Sequence, residues 1–115
     1  MLEHVVFISE PADQDLIEIK DYITTQYLSP ETAVEMVETI YAAMFGLSHM
    51  PKRHPLVEDV FLTPFGYRIL PVKKYLVFYT INDSSEIWDV NIERILYSGR
   101  NWQHILRNDR GVLDA

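Results

Sequence analysis

The first half of the chain combines a short apolar segment with two stretches of helical periodicity. Residues 3–8 (EHVVFI) are apolar and β-branched, which predicts a first strand. Ser9 then precedes a proline and acidic residues, the usual start of a helix, and the apolar positions that follow predict a helical face that ends near Tyr27. Ser29 repeats the start signal, and the strongest periodicity of the chain predicts a second helix up to about Ser48. The short link predicts that the two helices form an antiparallel hairpin.

The pattern of apolar residues in the second half is typical of β-strands. Apolar runs predict four strands, at 58–62, 66–72, 75–82 and 86–97. A later segment, 100–107, predicts a short helix. Both faces of the third run are largely apolar, so we expect a central strand that is covered on both sides. The alternation of the fourth run breaks near Arg94, which predicts a β-bulge.

Together these elements predict one α+β domain over residues 1–115. It has an N-terminal strand, a helical hairpin, an antiparallel meander packed on the helices and a short C-terminal helix. A length of 115 residues suits a single core. No cysteine is present, which excludes disulfide scaffolds and thiolate sites and fits the cytoplasm. No apolar run approaches the ~20 residues of a membrane span, so we expect no membrane partner.

Charge changes the picture, because it is divided unevenly along the chain. The net charge is −7, which by itself argues against a nucleic-acid partner. Residues 1–50 hold nine acids and one base, a net of −8, whereas residues 51–115 hold eight acids and nine bases, a net of +1. Any site for an anion must therefore lie in the second half.

Arg68 is the first candidate for chemistry, because its guanidinium lies within an apolar strand and must have an anionic partner there. Glu93 or Glu58 could supply that partner inside the molecule, or a ligand could supply it, and the residues alone leave both possibilities open. The four histidines are scattered without metal-ligand spacing, so we expect no metal and no cofactor.

Further cations and one tyrosine surround Arg68 in the sequence. They are Lys52, Arg53 and His54 on a proline-containing loop, Lys73 and Lys74 at a turn, and Arg94, Tyr97 and Arg100 around the end of the last strand. If a meander brings them to one face, they suit metal-free cleavage of a phosphodiester. One group then removes the 2′-hydroxyl proton, one protonates the leaving 5′-oxygen, and the guanidinium groups stabilise phosphate charge. The same surface could equally bind an acidic segment of a partner protein.

Three strings, RHPLVEDV, GYRILPVKKYLVFYTI and IERILYSGRNWQHIL, together with the element order, resemble the RelE/ParE superfamily of bacterial toxins. The resemblance extends from Ser9 to Leu106, and its most specific parts are Tyr67–Tyr79 and Arg94–Trp102. It implies the toxin half of a type II toxin–antitoxin system. It also implies a cognate antitoxin that wraps a helix and an extended segment around the toxin.

The superfamily contains two mechanisms, so the resemblance implies two possible activities. RelE-like members cut mRNA in the ribosomal A site without metal, whereas ParE-like members poison DNA gyrase. By position, Arg68 matches the strand arginine that contacts the scissile phosphate, and Tyr97 falls near the late acid or base. Arg100 falls near a late basic position of both branches. Lys52 and His54 occupy the loop that carries a base in RelE-like members.

The function expected from the sequence is therefore ribosome-dependent, metal-independent mRNA cleavage. The expected catalytic residues are Arg68, Tyr97, Arg100 and His54, and the expected RNA-binding residues are Lys52, Arg53, Lys73, Lys74 and Arg94. Two alternatives stay open: a ParE-like gyrase inhibitor that is not an enzyme, and a non-toxic, partner-binding member of the fold. The net charge of −7 and the absence of a dense lysine run differ from the usually basic nuclease toxins.

Overall fold

A computed structural model describes residues 3–112 of the chain, so the predicted domain bounds of 1–115 extend past the described residues at both ends. The elements are β1 (Val5–Ile8), α1 (Glu10–Tyr27), α2 (Pro30–Phe45), β2 (Arg68–Val72), β3 (Tyr75–Asn82), β4 (Asp89–Tyr97) and α3 (Trp102–Asp109). The sheet has the strand order β1-β4-β3-β2, in which β1 is parallel to β4 and the other pairs are antiparallel. The predicted α+β element order is confirmed.

Both helices of the hairpin begin where the sequence predicts, because a serine caps each of them. The hydroxyl of Ser9 accepts a hydrogen bond from the Ala12 amide, and the hydroxyl of Ser29 accepts one from the Thr32 amide. The second helix is shorter than predicted, since its last three predicted residues form a separate 3₁₀ turn at Gly46–Ser48.

Hydrophobic side chains fill both faces of the sheet, as predicted for β3. One core lies between the hairpin and the sheet and includes Leu16, Ile23, Ile40, Met44, Val77, Tyr79 and Ile92. The second core lies on the opposite face, under α3 and the loop before β2, and includes Leu62, Tyr67, Phe78, Leu96 and Leu106. Alternate residues of β3 therefore enter different cores.

The predicted bulge in the last strand is confirmed. Phe78 pairs with Arg94 and Tyr79 pairs with Ile92, so Glu93 is the extra residue. The bulge is what allows Ile92 and Ile95, three positions apart, to enter the same core.

The strand predicted at 58–62 is wrong. The Asp59 carboxylate accepts hydrogen bonds from the amides of Phe61 and Leu62, which bends the chain into a turn instead of extending it. The strand predicted at 86–97 is too long at its start, because it begins at Asp89.

Candidate functional site

Arg68 lies at the start of β2, which is an edge strand of the sheet. Its Nη1 donates hydrogen bonds to the carbonyl oxygens of His54, at 2.7 Å, and Lys52, at 3.1 Å. Among residues 3–112 it forms no ion pair with Glu93 or Glu58, the two internal partners considered from the sequence. Two loop carbonyls, which carry partial negative charge, occupy the position predicted for a carboxylate. The guanidinium thus holds the loop before β2 against the sheet.

The cations of that loop have internal partners as well. Lys52 lies 2.7 Å from an Asp83 carboxylate oxygen and 4.5 Å from the centre of the Trp88 ring. Arg53 donates hydrogen bonds to the carbonyl oxygens of His49 and Met50, which follow the second helix. These contacts fix the shape of the loop and do not direct the two cations toward a common point.

His54 is half-buried, with its ring edge toward the Tyr79 ring and 6.4 Å between the ring centres. Burial, together with the nearby Arg53 charge, lowers the pKa of His54 below 6.5, so the imidazole is neutral at pH 7. Its Nε2 is buried and has no hydrogen-bond partner. The Tyr79 hydroxyl donates to the Pro51 carbonyl at 2.6 Å, and burial raises the pKa of Tyr79 to about 12. We call Lys52, Arg53, His54 and Arg68 the loop group.

A second set of predicted residues lies at the other end of the sheet. Lys73 and Lys74 form the turn between β2 and β3, whereas Tyr97 and Arg100 lie at and after the end of β4, and we call these four residues the cleft group. They line one side of a cleft of about 770 Å³. The opposite side comes from α1 and α2 and includes Ile19, Tyr22, Ile23, Tyr27 and Met36.

Tyr97 contributes an exposed aromatic surface to this cleft. Its ring packs edge-on against Tyr75, with 6.2 Å between the ring centres, and 48% of the residue stays exposed. The chain passes close to the Tyr97 ring at Gly99, where a Cβ would lie only 2.5 Å from a ring carbon. A glycine at this position therefore allows the ring to lie where it does.

The structure does not bring the loop group and the cleft group together. Arg68 pairs with Tyr79 near one end of the sheet, whereas Val72 pairs with Tyr75, which pairs with Tyr97, near the other. The four residue steps from Arg68 to Val72 correspond to about 13 Å along the strand. By register Arg68 and Tyr97 share the hairpin-side face of the sheet, but they lie near its opposite ends, because β2 and β4 are both antiparallel to β3 and so run in the same direction. The start of one strand and the end of the other must then lie apart.

Arg94, predicted to bind RNA, is held by two carboxylates. Its Nε and Nη2 donate to Asp15 at 2.7 and 2.9 Å, and its Nη1 donates to Asp109 at 3.0 Å. The hydrogen bond with Asp15 is the main cause that raises the pKa of Arg94. All three guanidinium nitrogens therefore donate hydrogen bonds to carboxylates of this protein.

Asp15 was not among the residues predicted from the sequence. It is 4% exposed, and its carboxylate also accepts the amide of Ile95 at 2.9 Å. The signal was present in the sequence, since Asp15 lies between Ala12 and Leu16 on the apolar face of the first helix. A carboxylate on such a face requires a buried partner.

Within residues 3–112, no set of three or more histidine, aspartate or glutamate side chains is grouped as metal ligands would be. None of the helices in that range has both the length and the apolar content needed to cross a membrane.

The sequence profile described as "ParE toxin of type II toxin-antitoxin system, parDE" matches residues 6–102. No curated protein sequence matches the chain. Among solved structures, a chromosomal ParDE toxin–antitoxin system from P. aeruginosa is similar, with a TM-score of 0.66 and 17% identity over 83% of this chain and 96% of that one. The RelBE2 toxin–antitoxin complex from Mycobacterium tuberculosis is similar with a TM-score of 0.60 and 19% identity, over 84% of this chain and 93% of that one.

Proposed function

The chain belongs to the ParE toxin family of type II toxin–antitoxin systems, and we propose that it acts by binding a protein target, DNA gyrase, rather than by cutting mRNA. We also propose that a cognate antitoxin neutralises it. This second proposal is supported by the two similar structures, which are of toxin–antitoxin systems.

The observation that carries the proposal is the separation of the two groups of candidate catalytic residues. A proton-transfer group must lie within about 3 Å of the atom that it serves. Arg68 and His54 lie at the start of β2, whereas Tyr97 and Arg100 lie near the turn at its other end, about 13 Å away along the strand. A single scissile phosphate would have to be reached by side chains whose backbone positions start about 13 Å apart, with Arg68 already hydrogen-bonded to two loop carbonyls.

The bonding of the individual side chains supports the same proposal. Arg68 donates to loop carbonyls, Lys52 pairs with Asp83, and Arg94 pairs with Asp15 and Asp109. These groups fulfil structural needs of the toxin itself. A binding protein requires no arrangement of acid and base around a phosphate, so the proposed activity is compatible with these contacts.

The mRNA-cleaving alternative has one observation in its favour. Lys73, Lys74 and Arg100 are exposed and line the same cleft as Tyr97, whose hydroxyl is a candidate proton donor beside a phosphate. This arrangement is available without Arg68 or His54.

The test uses purified toxin in two assays. One measures supercoiling of relaxed plasmid by DNA gyrase, and the other measures mRNA cleavage on programmed ribosomes by primer extension. We expect inhibited supercoiling and intact mRNA.

Tyr97→Phe is the informative variant in both assays, because it keeps the ring and removes only the hydroxyl. We expect the variant to leave mRNA intact, as the unmodified toxin does, and the gyrase assay then shows whether the Tyr97 hydroxyl contributes to binding. Ribosome-dependent cleavage that Tyr97→Phe abolishes would contradict the proposal and establish the nuclease.

A further inference from the structure

We propose that the cleft between the helical hairpin and the turn after β2 is the surface that holds the target protein. Its occupant is a segment of the target that carries large apolar side chains next to carboxylates. This inference rests on the proposed function, and it assigns that function to one face of the molecule.

The walls of the cleft suit apolar side chains. Aliphatic side chains of Ile19, Ile23, Met36 and Ile95 line it, and the tyrosines of both sides add aromatic surface with polar hydroxyl ends. Its volume of about 770 Å³ is in the range of the pockets in which proteins bind small molecules and cofactors, roughly 300–1,000 Å³. The cleft can therefore receive several side chains of a partner.

The charge at the rim suits carboxylates. Lys52, Arg94, Arg107 and Arg110 each lie near a carboxylate of this chain. By contrast, Lys73, Lys74 and Arg100 form no ion pair within residues 3–112. A protein with a net charge of −7 repels acidic partners over most of its surface, so these three cations, which lie together on one side of the cleft, mark where an acidic segment is attracted.

Backbone strain marks two positions beside the same cleft. Lys73 has φ of +56° in a tight turn, and Leu28, which follows Tyr27 of the cleft wall, has φ of +51°. Glycine or asparagine adopts this left-handed conformation at lower cost than either residue. Leu28 is also 86% exposed, so its side chain gains little from burial in the isolated protein. The exposed leucine therefore adds apolar surface beside the cleft that a partner could cover.

A peptide fits the cleft better than single-stranded RNA. RNA needs a continuous cationic track with flat rings for base stacking. Four tyrosine rings line the cleft, but its cations, Lys73, Lys74 and Arg100, lie on the sheet side alone, and the Glu18 carboxylate lies on the hairpin side. The cleft therefore lacks a continuous cationic track for a phosphate backbone.

The test reverses the rim charge. Lys74→Glu combined with Arg100→Glu is compared with Lys20→Glu, which reverses an exposed cation of α1 outside the cleft lining. Thermal melting shows whether each protein is folded. In the gyrase supercoiling assay we expect at least a 10-fold higher concentration of the double variant for half-inhibition, and an unchanged concentration for Lys20→Glu.

A photo-crosslinking residue gives a second readout that does not depend on loss of activity. Placed at position 97 it should link the toxin to purified gyrase, whereas at Met50, which is exposed outside the cleft lining, it should not.

The outcomes separate the two proposals. Unmodified toxin that does not inhibit gyrase overturns the proposed function, and the cleft assignment with it. Active unmodified toxin with an equally active, folded double variant overturns the cleft assignment alone. So do crosslinks from position 97 to RNA or to a second toxin copy in place of gyrase. A double variant that stays toxic in cells but escapes neutralisation by its antitoxin also overturns it, because the cleft would then bind the antitoxin.

Discussion

At the scale of single residues, Arg68 separates what sequence can predict from what it cannot. A guanidinium in an apolar strand needs acceptors, and the sequence predicts that need. It does not identify the acceptors, because the carbonyl oxygens of Lys52 and His54 belong to a loop whose path depends on the whole fold. Main-chain carbonyls occur at every residue and leave no sequence signal.

We expect Arg68→Ala to destabilise the protein by about 1–3 kcal/mol, the usual effect of removing hydrogen bonds made by a charged group. The free energy of unfolding is measured by urea denaturation. Arg100→Ala is the matched control, and because Arg100 is exposed it should change stability by less than about 0.5 kcal/mol. Equal, small effects of both substitutions would mean that Arg68 does not hold the loop.

A pH dependence follows from Asp59. The hydrogen bond from Arg107, 2.5 Å long, is the main cause that lowers the pKa of Asp59 below its ordinary value of 3.8. Because the folded pKa is depressed, this stabilisation is present above pH 3.8 and is lost as the pH falls through the folded pKa. We therefore expect Asp59→Asn to flatten the loss of stability below pH 3.8.

The Asp59→Asn comparison is made by thermal melting over a pH series. Glu38→Gln, on an exposed position of α2, is the control and should follow the unmodified protein. If the melting temperature of Asp59→Asn falls with decreasing pH as steeply as that of the unmodified protein, protonation of Asp59 is not a cause of the acid destabilisation.

At the scale of elements, the edge of β4 explains how α1 joins the sheet. The pairing of β1 with β4 ends at Ile8 and Ile92, so the following residues of β4 lack a strand on that side. Ser9 donates its amide to the Ile92 carbonyl, and Asp15 accepts the Ile95 amide. The helix thus supplies backbone partners that a strand would supply elsewhere.

Asp15→Asn should be strongly destabilising, by about 3–5 kcal/mol, because it leaves the partly buried Arg94 charge without its main counterion. Asp13→Asn, an exposed change in the same helix, is the matched control. Urea denaturation of both variants measures the difference. A loss below about 1 kcal/mol for Asp15→Asn would show that the pair is not needed for folding.

In the turn between β2 and β3, we expect a substitution to stabilise the protein, in contrast to Asp15→Asn. Lys73→Gly relieves the left-handed backbone and should stabilise the protein by about 0.5–1 kcal/mol. Lys74→Gly is the control, because that residue is not in the left-handed region and glycine there should destabilise. If Lys73→Gly lowers the urea midpoint as Lys74→Gly does, the turn is not strained.

The sequence predicts the elements well where one signal dominates. Serine caps and helical spacing locate the start of the hairpin helices, and the apolar runs locate β3 and the body of β4. The prediction fails at 58–62, where apolar residues suggested a strand. The Asp59 carboxylate instead accepts hydrogen bonds from two backbone amides that follow it in the chain. Side-chain hydrogen bonds over two or three residues compete with strand pairing, and hydrophobic patterning does not detect them.

At the scale of the whole molecule, the division of charge in the sequence located the candidate surface only in part. The cations of the second half do lie on and around the sheet, but several of them are paired within the protein. Strand direction, which follows from the predicted meander, would have placed Arg68 and Tyr97 at opposite ends. Pairing within the fold was not predictable, because it depends on side-chain geometry across elements far apart in the sequence.

The most direct test of protein-target binding is pulse-labelling of DNA and protein synthesis after the toxin is induced in growing cells. We expect DNA synthesis to fall first, with an induced DNA-damage response, while translation initially continues. An immediate fall in protein synthesis with ongoing DNA synthesis would contradict it and indicate mRNA cleavage.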